Sequence, residues 1–149
     1  MPLVWSHAGR IRAGATTPEM VSSYDFFPTL VKYLGLDAGP GGGPSRVGKS
    51  YTEILAGKKW GYPRELYFEY SYVRALRGDR YKWVERTAEH PSELYDLQSD
   101  PGETRNLEDA ARREGMSRQL WEFFRHAGAP ALNKWRSTTV QTLPAENLG

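Results

Sequence analysis

The sequence predicts an α+β fold in which a small antiparallel sheet of about four strands is covered by a C-terminal helix. Two patterns carry this prediction. Strand-like runs of apolar and polar residues occur between residues 66 and 97, and apolar residues recur at helical spacing from about 108 to 127. A third observation is the apolar run at residues 2–5, typical of a strand buried on both faces. That strand and the helix after it are therefore predicted to belong to a larger sheet.

The composition is that of a globular protein and excludes several classes. The 149 residues are 39% hydrophobic and include five Trp, nine Tyr and five Phe, which can fill a core. The net charge is only +2 and basic residues alternate with acidic ones, so no nucleic-acid partner is predicted. No apolar run approaches the roughly 18 residues of a membrane helix. The absence of cysteine excludes disulfides and leaves the compartment undetermined.

The first part of the chain is predicted as residues 1–60. A helix is expected from Ser22 or Ser23 to Leu34, with Asp25 as its N-cap and Gly35 as its stop. Residues 37–45, DAGPGGGPS, contain too many helix and strand breakers for regular structure. Residues 50–55 fit a short helix.

The second part, predicted as residues 61–128, carries the small sheet and its helix. Strands are expected at 66–70, 73–77, 81–86 and 93–97, with Gly78 and Asp79 forming a hairpin turn. In the last strand, Tyr95 and Leu97 are expected to pack on one side. The helix should bury an apolar stripe made of Met116, Leu120, Phe123, Phe124 and Ala127. Residues 129–149 show no periodicity and are predicted to be an irregular arm.

A literal phosphate-loop motif, G-x-x-x-x-G-K-S, occupies residues 43–50. Such a loop needs a buried strand before it and a long helix after it, and here a Gly/Pro-rich segment precedes it. Nucleotide binding is therefore a minor alternative. The histidines His7, His90 and His126 lack metal-ligand spacing, and no G-x-S-x-G elbow marks a catalytic serine. The sequence assigns no catalytic and no metal-binding residue.

Glu69 lies among aromatic residues at the end of a predicted strand. An acid in such a place can line a pocket. Cross-strand pairing with Arg74 or Arg86 is the favoured interpretation, because opposite charges on neighbouring strands stabilise a sheet.

Three segments of the second part form a recognisable series. Residues 93–107 read ELYDLQSDPGETRNL, residues 74–77 read RALR, and residues 80–84 read RYKWV. They resemble the closing L-Y-D-L-x-x-D-P-x-E-x-x-N-L motif and the R-A-V-R and R-Y-K-L-I strands of the sulfatase family. These are the sulfuric-ester hydrolases of alkaline-phosphatase-like fold.

Three upstream segments match the same family in order. Residues 2–5 (PLVW), 21–30 (VSSYDFFPTL) and 48–51 (GKSY) are similar to its V-P-L-I, V-S-x-x-D-x-x-P-T-L and G-x-S-L. The resemblance covers about residues 1–127 and explains the phosphate-loop motif as G-x-S-L after a variable loop. It implies that the larger sheet is that of the alkaline-phosphatase-like α/β core.

The resemblance implies that the catalytic groups lie outside this chain. Sulfatases use a formylglycine made from Cys or Ser in C/S-x-P-x-R and a divalent cation, calcium, and in the family those residues precede V-P-L-I. The string GGPSR at residues 42–46 is a coincidence, because Gly42 has no side chain to oxidise. We expect this chain alone to be inactive and without a cofactor of its own.

The resemblance also implies a substrate pocket. In sugar-directed members, the segment before R-A-V-R can reach the mouth of the active site. Glu69, Tyr70 and Arg74 are the candidate pocket residues here. Arg74 suits an anionic substrate through charge-assisted hydrogen bonds, and a salt bridge at the sheet edge is an equal alternative.

The predicted function is therefore that of a C-terminal fragment of a sulfatase-like hydrolase. It would serve as a structural and substrate-pocket subdomain, with a sulfate ester as substrate only in the intact enzyme. Its expected partner is the N-terminal sulfatase half, or a second copy of the chain that covers the same apolar surface. The alternative is a free-standing, non-catalytic interaction module of the same fold. The sequence does not specify the ester.

Overall fold

The computed structural model describes residues 3–36, 47–70, 73–86 and 90–127. The chain folds as two units, Met1–Leu66 and Tyr67–Gly149. Within the described ranges, no helix is long and apolar enough to cross a membrane. The predicted irregular segments at 37–45 and 129–149 lie outside the described residues.

The predicted first helix forms as a 3₁₀ turn, Ser23–Asp25, followed by α1 (Phe26–Tyr33). Asp25 is the N-cap residue of α1, as predicted, but its side chain makes no capping bond to that helix. Ser22 instead caps the 3₁₀ turn, and Asp25 completes a capping box there. The Ser22 hydroxyl accepts a hydrogen bond from the Tyr24 N–H at 3.3 Å, and the Asp25 carboxylate accepts one from the Ser22 N–H at 2.7 Å. The helix ends before Gly35, whose φ of +69° favours glycine. The short second helix, α2, spans Thr52–Leu55.

The predicted strand at residues 2–5 is wrong for residues 3–5. Leu3 and Val4 are 50% and 84% exposed and belong to no strand. A strand needs a neighbour for its backbone N–H and C=O groups, and the described residues before Leu66 contain none. Trp5 is instead half-buried, with its indole N–H donating to the Tyr51 hydroxyl at 3.1 Å.

Two side chains of the first unit fix the segment that follows the Gly/Pro-rich loop. The buried Thr29 hydroxyl donates to the Asp25 carbonyl at 2.6 Å and accepts from the Tyr51 N–H at 3.0 Å. The Asp25 carboxylate accepts from the Lys49 N–H at 2.7 Å. The segments at 21–30 and 48–51, far apart in sequence, therefore meet through buried polar contacts.

The predicted four-stranded sheet is present and has the order β1–β2–β3–β4. Its strands are β1 (Leu66–Tyr70), β2 (Val73–Arg77), β3 (Tyr81–Arg86) and β4 (Glu93–Asp96). β3 pairs antiparallel with both β2 and β4, which places Trp83 between Leu76 and Leu94. The Gly78 N–H donates to the Tyr81 carbonyl at 2.9 Å, so the predicted hairpin turn joins β2 and β3.

The long helix α3 (Ala110–His126) packs on one face of this sheet. Its N-cap is Asp109, whose side chain accepts from the Arg112 N–H. Leu120 and Phe124 are buried against the sheet, and Met116 and Phe123 pack at the margin of the core. The predicted apolar stripe is confirmed for these four positions.

The predicted inward pair of β4 was wrong. Leu94 is completely buried, whereas Tyr95 and Leu97 are half-buried. Adjacent residues of a strand point to opposite faces, so Leu94 and the pair Tyr95 and Leu97 cannot both face α3. Leu94 is opposite Trp83 on β3, and both side chains belong to the core beneath the helix.

The segment after β4 closes the edge of that strand. The Asn106 side chain accepts from the Leu94 N–H at 2.9 Å, and the Leu107 N–H donates to the Leu94 carbonyl at 2.8 Å. The Asp100 carboxylate accepts from the Thr104 and Arg105 N–H groups, both at 2.8 Å. The motif at 93–107 thus fixes the path from the sheet to α3.

We expect the second unit to lose stability in acid. The Arg80 guanidinium donates to Asp96 and lowers the pKa of that carboxyl from 3.8 to about 2. Backbone N–H groups also lower the pKa of Asp100 and of Asp109. A lowered folded-state pKa gives stability that is present above the unfolded pKa and lost as the pH falls through the folded one.

The free energy of unfolding, measured with urea, should therefore decrease between pH 3.8 and about 2. Asp96→Asn should flatten this dependence, because it removes the group with the largest shift. An Asn variant whose stability falls in acid as steeply as that of the unaltered chain would contradict this prediction.

Candidate functional site

The predicted pocket residues lie where β1 ends and β2 begins. Glu69 and Tyr70 are the last residues of β1, Arg74 follows Val73 on β2, and residues 71–72 between the strands lie outside the described ranges. Because neighbouring residues of a strand face opposite sides, Glu69 shares the face that α3 covers and Tyr70 lies on the other face.

Arg74 is buried between the sheet and the helix. It is 4% exposed, and its Nη2 donates to Glu69 Oε1 at 3.1 Å. Its guanidinium lies over the rings of Trp121 and Phe124, at 4.7 and 4.3 Å from their centroids. The favoured pairing of Glu69 with Arg74 is confirmed. The cation is enclosed by an acid and two aromatic rings, which lowers the cost of burying it.

Tyr70 has the opposite environment. It is 83% exposed, and Phe68 on the same face of β1 is 47% exposed. An exposed tyrosine presents an apolar ring together with a hydroxyl, a surface suited to a polar ligand with an apolar face. Of the three candidates, Tyr70 and Glu69 reach solvent and Arg74 does not.

A polar cluster centred on Glu85 was not predicted from the sequence. This carboxylate accepts hydrogen bonds from the indole N–H groups of Trp83 and Trp121 and from the Ser117 hydroxyl. Glu85 is also the cross-strand partner of Arg74. The placement of Trp83 and Glu85 two residues apart on β3 was an available signal, because it puts both on the face that α3 covers. The cluster fixes Trp121, the ring beneath Arg74.

The described residues do not form a calcium site, which the family resemblance places elsewhere in the intact enzyme. Among them, no three His, Cys, Asp or Glu side chains converge as metal ligands. Asp25 is buried, and desolvation raises its pKa, but its oxygens accept from the N–H groups of Ser22 and Lys49. The His7 Nδ1 lies 2.6 Å from the Tyr33 hydroxyl in the first unit. No catalytic step can be derived through a metal on these residues.

The sequence profile of the N-sulphoglucosamine sulphohydrolase C-terminal region matches residues 1–128. The chain belongs to this sulfatase family. The match includes both units of the structure, from the segment at residues 3–5 to the end of α3. The predicted family is therefore confirmed, and so is the assignment to its C-terminal portion.

One curated sulfatase and two solved structures are similar to this chain. The Delta 4,5-hexuronate-2-O-sulfatase of Bacteroides thetaiotaomicron is 37% identical over 92 residues, which are 56% of this chain and 18% of that protein. A phosphonate monoester hydrolase from Silicibacter pomeroyi superposes with a TM-score of 0.62 at 22% identity, over 80% of this chain and 27% of its own.

A third relative was solved in complex with its substrate, D-glucosamine-2-N,6-O-disulfate. It superposes with a TM-score of 0.56 at 21% identity, over 69% of this chain and 24% of that one. The two solved structures confirm the predicted α+β, alkaline-phosphatase-like sulfatase fold. The chain spans only 18% of the curated relative and 24–27% of these solved chains.

Proposed function

We propose that this chain is the non-catalytic C-terminal part of a sulfatase-like hydrolase that acts on sulfated sugars. The observation that carries the proposal is the family match over residues 1–128, which describes a C-terminal region. Two relatives support the substrate class: one is a hexuronate-2-O-sulfatase, and another was solved with a disulfated glucosamine. In this proposal, calcium and formylglycine belong to the remainder of the enzyme.

The proposed contribution to the substrate pocket comes from the end of β1 and the start of β2. Glu69 and Tyr70 are exposed there, and the paired Arg74 lies beneath Glu69. The two side chains point to opposite faces of β1 and offer different contacts: the Tyr70 ring suits the apolar face of a sugar, and the oriented Glu69 carboxylate suits its hydroxyl donors.

The proposed partner is the N-terminal α/β part of a sulfatase. Large apolar side chains of the first unit are exposed by 39–84%: Leu3, Val4, Phe26, Phe27, Leu34 and Leu36. Covering such a surface is favourable at about 25 cal/mol per Å². Residues 3–5 would also gain strand neighbours in the larger sheet. A monodisperse monomer that binds no apolar dye would instead favour the free-standing module.

The chain of residues 1–149 alone should not hydrolyse a chromogenic aryl sulfate, with or without calcium. Its sequence has no C/S-x-P-x-R motif, and among its described residues no three His, Cys, Asp or Glu side chains could hold a metal ion together. The assay is release of the chromophore over buffer. Turnover that survives purification and disappears on a single substitution in this chain would contradict the proposal.

A chimera tests the proposed role directly. The matching C-terminal region of the hexuronate-2-O-sulfatase is replaced by residues 1–127 of this chain, and hydrolysis of that enzyme's substrate is measured. We expect activity well above that of the same enzyme with the region deleted. A soluble chimera that contains formylglycine but is no more active than the deletion variant would overturn the proposal.

A further inference from the structure

Arg74 lies too deep to receive a sulfate group directly. Its side chain is 5% exposed, whereas that of Glu69, to which it is bonded, is 37% exposed. A sulfate would have to come within about 3 Å of the guanidinium N–H groups to form charge-assisted hydrogen bonds. The negative charge of Glu69 at the exposed side would repel it. The two strands therefore present the Glu69 carboxylate to a ligand as a hydrogen-bond acceptor. The Arg74 guanidinium lies beneath that carboxylate.

A series of contacts that begins at α3 fixes the orientation of the Glu69 carboxylate. Glu85 accepts from the Trp121 indole N–H, and the Trp121 ring lies 4.7 Å from the Arg74 guanidinium. Arg74 in turn donates to Glu69 at 3.1 Å. A carboxylate held in one orientation can accept hydroxyl hydrogens while losing little further side-chain entropy.

We propose that Glu69 recognises sugar hydroxyl groups, and that Arg74 is a positioning residue that orients Glu69 and does not bind the sulfate. This inference rests on the proposed function, which supplies the sugar. In this proposal, the sulfate is recognised by other groups of the pocket that do not belong to β1 or β2. The same contacts predict that Arg74 affects sugar binding only while Glu69 is present.

Titration of the full chain tests the inference, with ligand-induced shifts followed by nuclear magnetic resonance. The probes are D-glucosamine-2-N,6-O-disulfate, N-acetylglucosamine and inorganic sulfate. The two sugars should shift Glu69 with affinities within about threefold of each other, because both offer hydroxyl donors. Inorganic sulfate should leave Arg74 unshifted. A sulfate-induced shift of Arg74, or binding of the disulfate alone, would overturn the inference.

Variants separate positioning from a purely structural role. Arg74→Met should weaken sugar binding about fivefold to tenfold, and Arg74→Lys should restore part of it. Arg77→Met, at an exposed arginine of the same strand, is the matched control and should leave the affinity unchanged. In a chain that already carries Glu69→Ala, adding Arg74→Met should cause no further loss.

Additive losses in the double variant would overturn the inference even if the sugars bind. An unchanged affinity in a folded Arg74→Met chain would do the same. The Leu94 amide signal identifies the folded variants, because that group is bonded within the core region. If no sugar shifts any residue of the unaltered chain, the proposed pocket role itself fails. Hydrolysis by the chimera reports on the rest of the proposed function.

Discussion

Replacing Leu94 with alanine is expected to destabilise the second unit by about 2–5 kcal/mol, the range for large-to-small changes in a core. Leu94 is 0% exposed and packs with Trp83, Leu120 and Phe124. The change removes apolar contacts from both the sheet and α3, and the rigid rings around the site limit how far the cavity can collapse. Urea unfolding followed by tryptophan fluorescence measures the loss.

Two variants of the same segment serve as controls for this prediction. Tyr95→Ala should cost less, because Tyr95 is half-buried on the other face of β4. Gln98→Ala should change the free energy of unfolding by no more than about 0.5 kcal/mol, because its side chain is exposed. If Leu94→Ala proves as mild as Gln98→Ala, the assigned register of β4 is incorrect.

Glu85→Gln should destabilise the fold by about 1–3 kcal/mol although it preserves the shape of the side chain. One carboxylate oxygen accepts from the Trp121 indole, and the other accepts from the Trp83 indole and the Ser117 hydroxyl. An amide replaces one of these oxygens with an NH₂ group. An indole N–H can only donate, so one of the two tryptophans must lose its acceptor.

The matched control is Glu122→Gln on α3, an exposed position. It removes the same charge and should change stability by no more than about 0.5 kcal/mol. Urea unfolding of both variants at neutral pH gives the comparison. Equal, small effects at the two positions would show that the indole N–H groups find other acceptors or that the cluster contributes little to stability.

The strands of the second unit could be predicted because their signals were local. The strand-like runs at 66–70, 73–77 and 81–86 can be recognised within short windows of the sequence. The structure has strands with those bounds. The register of β4 could not be predicted in the same way. Leu94, Tyr95 and Leu97 place apolar atoms on both faces of the strand, and the face that packs is decided by α3. That helix lies outside any local window around β4.

In the candidate site, too, contacts between residues close in sequence could be predicted, whereas contacts with α3 could not. Pairing of Glu69 with Arg74 was predictable from opposite charges near a hairpin, whereas the burial of Arg74 depends on Trp121 and Phe124 of α3. The Glu85 cluster depends on partners 32 and 36 residues away along the chain. Predicting a strand at residues 3–5 required neighbours that the described residues do not include.

The closed edge of β4 affects how the protein resists misassembly. An uncovered edge strand is a template on which another chain can add a strand and start a fibril. Here the Leu94 N–H and carbonyl are already bonded to Asn106 and Leu107. An intruding strand would first have to displace that segment and detach the start of α3. We therefore expect growth of aggregates at this side of the sheet to require partial unfolding, which ties resistance to aggregation to the stability of the second unit.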